Sequence, residues 1–401
     1  MNNETEKLTY IDTLKHPVVA RLTLIQFLSY FGTWFSQVAI ASMLVEYGAS
    51  ELEISYVFIM IMLPAVLLAP LSGWIIDRFN FKKLMSFLLV IEIVMTSLFM
   101  TINSLDDLWW LMIFLFIRSS ASSILFSAEM ALFPKILEGQ MLKNTNEIHS
   151  IVWSTCFVIG MAIGGLVTYY FSYDITFMID ILLYIVASFL VINLQLSLKP
   201  TEHIQTAFQM MKSGFNYLAN HKKLIHLILI HAALGLTSFD TIITLLADFD
   251  YKYILAVPLA IGWMNTSRAI GLTLGTVLFS KHINQNNLHY IFAIQGVLII
   301  FWASIQHQFY YSLAGMFFVG LLTTSLWSYT YYMIQKEIET EFLGRVIAYN
   351  DMIFMMSNII TILFIGYASK LGMELSWITT IIGLEFIAVG WYYFWFKKVY
   401  L

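Results

Sequence analysis

Between residues 73 and 85 the chain reads Gly73-Trp-Ile-Ile-Asp77-Arg78-Phe-Asn-Phe-Lys82-Lys83-Leu-Met85, four charges set between two long apolar runs. An apolar run of about 20 residues spans the roughly 30 Å of a bilayer core as a helix. A short charged turn between two such runs is therefore expected to join two membrane helices. Because Lys and Arg concentrate on the cytoplasmic side, the same turn sets the orientation of both.

Working outward, the composition agrees. The 401 residues are 59% hydrophobic, 16% aromatic and only 11% charged, whereas soluble domains are about 25% charged. Apolar runs fall near 17–46, 54–76, 84–103, 108–133, 148–171, 174–196, 224–248, 254–279, 288–306, 309–335, 345–369 and 375–396. Twelve crossings place both termini on one side. With that side inside, the inner segments hold seventeen Lys and Arg residues and the outer loops only Lys252 and Lys370. Acids such as Glu51, Asp106, Asp174 and Asp248 fill the outer loops. The expected location is a bacterial cytoplasmic (inner) membrane, with both termini cytoplasmic and no cleavable leader in the polar residues 1–15.

The longest internal hydrophilic stretch, 197–223, separates two sets of six spans. The expected organisation is a six-helix bundle over 1–196, a cytoplasmic linker with an amphipathic helix over 197–223, and a second six-helix bundle over 224–401. Paired halves of this kind mark transporters built from repeats. The fold class is all-α, twelve transmembrane helices in two pseudo-symmetric bundles.

Four segments carry a resemblance. They are Gly73–Met85 between spans 2 and 3, Phe114-x3-Arg118 in span 4, Gly160-Met-Ala-Ile-Gly164-Gly165 in span 5, and Glu341-Phe-Leu-Gly344-Arg345-Val346 before span 11. In order and on these spans the chain resembles the major facilitator superfamily, and within it the branch of macrolide-efflux and enterobactin exporters. The likeness departs at Asn80 and Phe81, at Met161 where proline is usual, and at Ser122 where glycine is usual. The resemblance implies that Gly73, Asp77, Arg78, Lys82, Lys83, Gly344 and Arg345 gate the cytoplasmic side. It also implies that Arg118 takes part in proton movement or substrate contact, and that spans 1, 4, 7 and 10 surround a central cavity.

Residue chemistry supplies the rest. Ionisable groups inside spans cost about 2.5–3.5 kcal/mol on insertion scales, so each is a functional candidate. Arg118, with Glu92 in span 3 and Asp240 in span 7 as carboxylate partners, is the expected proton-coupling set; static ion pairs are the alternative reading. Asp180, Arg268 and Glu385 read as structural, and Glu46, Glu129 and Asp351 as groups near helix ends. Polar stripes at helical spacing give the expected substrate cavity: Gln26, Tyr30, Thr33, Trp34 and Gln37 in span 1, Ser122 in span 4, Thr237 in span 7, and Thr324, Trp327, Ser328 and Tyr331 in span 10. Hydroxyls that merely bond their own helix backbone are the plain alternative. Gly160, Gly164 and Gly165 read as a tight helix-packing surface.

Other classes find little support. No phosphate-binding Gly-x4-Gly-Lys-Ser/Thr loop or His-Glu-x-x-His pair is present, so an enzyme is not expected and no cofactor or resident metal is called for. Cys156 is the single cysteine, and with His149 it offers two soft ligands seven apart, too few for a site. No basic run calls for nucleic acid. The expected protein is a secondary active transporter, working as a monomer amid membrane lipids. It exports a small amphipathic molecule, drug-like or a siderophore, by alternating access in exchange for protons. A lysophospholipid flippase of the same fold, or a divalent-metal exporter, stays open as an alternative.

Overall fold

A computed structural model describes residues 9–194, 207–339 and 341–401, and among them it contains helices, turns and no strand. A short helix α1 (Tyr10–Leu14) precedes α2 (Pro17–Glu46), α3 (Glu51–Arg78), α4 (Phe81–Phe99), α5 (Leu108–Ile136), α6 (Gly139–Tyr170) and α7 (Tyr173–Ile192). After the linker come α8 (Ala207–Asn220), α9 (Lys222–Ala232), α10 (Asp240–Leu246), α11 (Val257–Phe279), α12 (Leu288–Ile305), α13 (Phe309–Glu337), α14 (Leu343–Lys370) and α15 (Leu375–Tyr400). The first part of the expected linker, 197–206, lies outside the described residues. Ten segments among the described residues are long and apolar enough to cross a bilayer. Helices α4 and α11 pack among them, and with these two the number fits twelve.

Local chemistry fixes the ends. Ser50 caps α3 in a capping box, its backbone N–H and hydroxyl both donating to the Glu53 carboxylate at 2.7 Å, which answers orphan groups of the first turn. Asn80 caps α4 by accepting from the Lys83 N–H at 3.3 Å. These two caps bracket helices that meet the charged turn. Thr9 and Asp12 form a capping box on α1, and Lys15 beside Asp12 holds its carboxyl down at about 2. A depressed carboxyl keeps that cap intact above its ordinary range, with loss only as pH falls toward about 2.

The two halves repeat one packing scheme. In the first, α2 packs on α6, α3 on α5, and α4 on α7. In the second, the broken span before α11 packs on α14, α11 on α13, and α12 on α15. Between halves, α3 meets α14 and α6 meets α11, again a related pair. Lipid tails are as apolar as leucine, so close van der Waals fit rather than hydrophobic burial holds such helices together. Glycines supply that fit. A Cβ on Gly164 would collide with the Phe35 carbonyl of α2, and one on Gly165 would come within 2.7 Å of the Pro258 carbonyl across the halves.

One span departs from expectation. The run 224–248 reads as a single helix, but the structure breaks it into α9, a 3₁₀ turn over Ala233–Thr237, α10, and a wide π turn over Ala247–Tyr251. The cause is local. Thr237 and Ser238 turn their hydroxyls onto the carbonyls of Leu234 and Gly235 at 2.8 and 3.0 Å, competing with the helix ladder. Gly235 meanwhile lets α14 press in, its absent Cβ leaving 2.8 Å to the Phe354 carbonyl. The Thr237 carbonyl accepts from the Phe239 N–H at 2.8 Å and also from Arg268 of α11 at 2.7 Å, which ties the break to that helix.

Helix starts and ends define two faces. The face carrying Tyr10, Arg78, Lys143, Lys223 and Tyr400 is basic, and the face carrying Glu51, Asp107, Asp174 and Asp250 is acidic. Contacts between halves concentrate toward the acidic face: Gly366 against Ser55, Tyr56 hydroxyl to Tyr367 hydroxyl at 3.3 Å, Gly262 against Met161. Thr266 donates to the Val158 carbonyl at 3.4 Å. Closer to the basic face, Ile151 and Thr155 of α6 and Ile270 and Leu274 of α11 are exposed. A shallow hollow of about 450 Å³ runs along the start of α6, lined by Gly139, Leu142, Lys143, Asn146, Glu147 and Ser150.

Candidate transport pathway

Arg118 stands midway along α5 and is enclosed by three other helices of the first half. Its Nε donates to Glu92 of α4 at 3.1 Å, and its Nη2 to Asp180 of α7 at 2.7 Å, Ser36 of α2 at 3.0 Å and the Tyr184 hydroxyl at 3.0 Å. Arg118 is 5% exposed, Glu92 1% and Asp180 0%. Gly32 makes this possible, since a Cβ there would overlap the Asp180 carboxylate. Two carboxylates thus share one guanidinium. Glu92 Oε1 and Asp180 Oδ1 have no further partner among the described residues. An uncompensated buried charge is expensive, so both carboxylates depend on the one guanidinium between them.

Of the three residues expected to couple protons, the structure brings Arg118 and Glu92 together and places Asp240 in the other half. Asp240 opens α10, just after the break, and forms no ion pair among the described residues. Arg268 is the basic group of that region, lying over the Phe239 ring at 5.3 Å while bonding Thr237. Asp180, read as structural, is the shortest partner of Arg118, at 2.7 Å.

The expected cavity residues divide. Thr33 donates to the Ser29 carbonyl at 3.0 Å and meets the Tyr184 hydroxyl at 3.0 Å, so it joins the Arg118 cluster. Tyr30 donates to Glu129 at 2.6 Å, inside a buried pocket with Gln26 and His149. Glu129 is 0% exposed. Read as a group near a helix end, it is instead enclosed, and three turns from Arg118 it shares that residue's face. Gln37 is buried, Ser122 half-buried, and Trp34 packs on Phe157 at 4.6 Å and edge-on to Trp153 at 5.6 Å. In the second half Thr324 is half-buried and Ser328 exposed, and Trp327 stacks on Tyr331 at 4.8 Å. Thr237 spends its hydroxyl on its own backbone.

At the basic face Arg78 lies over Trp74 at 5.0 Å, Lys83 is exposed and Lys82 half-buried. The Asp77 side chain and the surroundings of Gly73 are outside the described residues. Arg345 sits over Phe342 at 5.4 Å, and Gly344 faces open space. Gly214 of α8 packs against Arg345, tying the linker helix to the start of α14. His149 and Cys156 have separate surroundings: the ring lies edge-on to Tyr30 at 5.7 Å, and the thiol donates to the Phe27 carbonyl at 3.4 Å. Among the described residues no three His, Cys, Asp or Glu side chains cluster as metal ligands.

Two related helical halves, joined toward the acidic face and with a charge cluster buried inside the first, have the architecture of a membrane transporter. The chain belongs to the Major Facilitator Superfamily, whose family model matches residues 22–362. It is similar to macrolide efflux protein A of Streptococcus pyogenes, 23% identical over 84% of this chain and 86% of that one. It is also similar to the uncharacterized MFS-type transporter YfiS of Bacillus subtilis, 27% identical over 156 residues, a match spanning 37% of that protein's length. Among solved structures the nucleoside transporter NupG superposes with a TM-score of 0.73 at 15% identity, covering 95% of this chain and 99% of that one. A bacterial homologue of the iron transporter ferroportin, in an inward-facing state, gives 0.71 at 14% identity, covering 95% and 98%.

Proposed function

We propose that this transporter exports a small amphipathic molecule by alternating access, driven by protons moving inward. The observation that carries the proposal is the Arg118 cluster, where two fully buried carboxylates share one cation and so provide a place for one exchangeable proton. Asp240, beside the broken span and near Arg268, serves as the coupling group of the second half. Trp34, Gln37, Thr324, Trp327, Ser328 and Tyr331 form the substrate surface, where stacked rings suit a molecule with a flat apolar body. Gln26, Tyr30, Thr33, Ser122 and Thr237 support that surface from within the halves.

Gly73, Asp77, Arg78, Lys82, Lys83, Gly344 and Arg345 act at the basic, cytoplasmic mouth, closing it when the halves rock outward. The similarity to a macrolide efflux protein over most of both chains supports export of a drug-like compound. The test is proton flux in proteoliposomes under an imposed pH gradient, with macrolides, drug-like cations, siderophores, divalent metals and lysophospholipids supplied in turn. Substrate-dependent proton movement that disappears in Glu92→Gln supports the proposal. Lysophospholipid movement indifferent to the gradient would replace it with a flippase.

A further inference from the structure

His231, near the end of α9, has a role that neither the Arg118 cluster nor the stacked pair accounts for. Its imidazole is 0% exposed and is ringed by Trp327, Tyr331 and Phe354, with centroids 5.6, 5.5 and 5.6 Å away. Its Nδ1 lies 2.8 Å from the Thr330 hydroxyl. That hydroxyl is itself 2.8 Å from the Leu326 carbonyl and 3.1 Å from the Trp327 carbonyl, the usual back-bond of a threonine in a helix. A hydroxyl has one proton. Spent on the helix carbonyls, it leaves the oxygen to accept from His231, so the proton of the neutral ring sits on Nδ1. Nε2 is then a bare lone pair, and it has no partner among the described residues.

A buried acceptor left without a donor carries an appreciable desolvation cost. The lone pair sits among the rings that would grip a flat molecule. Asp351 lies one turn before Phe354 on α14, on the same side of that helix. We propose that His231 is a specificity-determining residue of the substrate surface. Its Nε2 accepts a hydrogen bond from an N–H group of a ring-bearing substrate, preferably a cationic one, that packs against the Trp327–Tyr331 stack and Phe354 as these rings move aside to admit it. The assignment rests on reading this surface as the substrate path, but it makes its own demand.

Two matched planar cationic dyes test it on the full-length protein in detergent. Rhodamine 6G carries N–H donors, whereas tetramethylrhodamine ethyl ester carries none. The wild type binds rhodamine 6G tighter by about fivefold, the worth of one net hydrogen bond. His231→Asn, which keeps a donor for Thr330 but has nothing at the Nε2 position, loses that preference. His231→Gln, which extends a carbonyl to the same place, keeps part of it. Nitrogen NMR of the labelled histidine shows Nε2 without a proton in the free protein.

Equal binding of the two dyes by the wild type overturns the proposal, as does a preference undiminished in His231→Asn, whose acceptor would then be satisfied by water. So does a proton on Nε2, or failure of both dyes to bind, since both carry the ring system the cage is held to grip. A His231-dependent preference found alongside dye movement uncoupled from protons would instead remove the antiport reading and leave this one standing.

Discussion

At the scale of single residues, the Arg118 cluster separates stability from coupling. Arg118→Ala strands Glu92 and Asp180 in the interior, and breaking a buried pair costs about 3–5 kcal/mol; a marked fall in the unfolding temperature in detergent is the expected result. The triple variant Arg118→Met, Glu92→Gln, Asp180→Asn removes every charge at once and recovers most of that temperature, because a neutral set of similar volume is tolerated. It still fails to couple protons. Recovery of both stability and coupling would refute a role for the cluster in transport. The sequence disclosed that Arg118 and Glu92 lie at membrane depth. It did not disclose that Asp180 joins them and Asp240 does not, because hydropathy reports depth while the choice of partner depends on how α4, α5 and α7 are rotated against one another. Glu129 shows the same limit: a carboxylate a few residues from a helix end, drawn inward by the Tyr30 hydroxyl rather than outward to headgroups.

At the scale of helices, the glycines give contrasting forecasts. A Cβ on Gly275 of α11 would overlap the Leu321 carbonyl of α13, a backbone atom that cannot step aside. Gly275→Ala is therefore expected to destabilise by about 1–3 kcal/mol, as overpacking does, and to lower the yield of monodisperse protein. Gly344 has nothing within 4 Å, so Gly344→Ala is expected to leave yield unchanged or to stabilise by about 0.5–1 kcal/mol through its helix preference. A loss of transport by that variant would then speak for gating rather than packing. The small-residue surface of Gly160, Gly164 and Gly165 was readable from spacing alone. Two of the three turned out to serve α2 in their own half, and only Gly165 meets the other half, a division that no spacing rule conveys. The broken seventh span was hard to see, since Gly235, Thr237 and Ser238 are tolerated in many membrane helices, and the break needs their hydroxyl bonds together with α14 packed on Gly235.

For the molecule as a whole, the order of apolar runs and charged turns sufficed to anticipate a helical membrane transporter in two related halves. Which face is sealed depends on tertiary contact and had no counterpart in the pattern. Ser55 and Gly366 lie on the sealed side, where a Cβ added to Gly366 would stand 2.8 Å from that of Ser55. A Ser55→Cys, Gly366→Cys pair in a Cys156→Ser background is therefore expected to form a disulfide after about 1 Å of relaxation, and oxidation to halt transport until a reductant is added. Ser150→Cys, in the hollow at the other face, should react with an impermeant maleimide in the same resting protein; protection of Ser150 with free cross-linking at Ser55 absent would reverse the assignment of the open side. The interruption in the seventh span also bears on how the chain is made. Residues 222–251 leave the ribosome before Arg268 does, so until α11 arrives the Thr237 carbonyl has the Phe239 N–H but not the Arg268 guanidinium that ties the break to its neighbour. A nascent chain stopped short of α11 should then hold this span loosely and hand it readily to insertion chaperones, so that the second half gains its firmness late, as its eighth crossing docks.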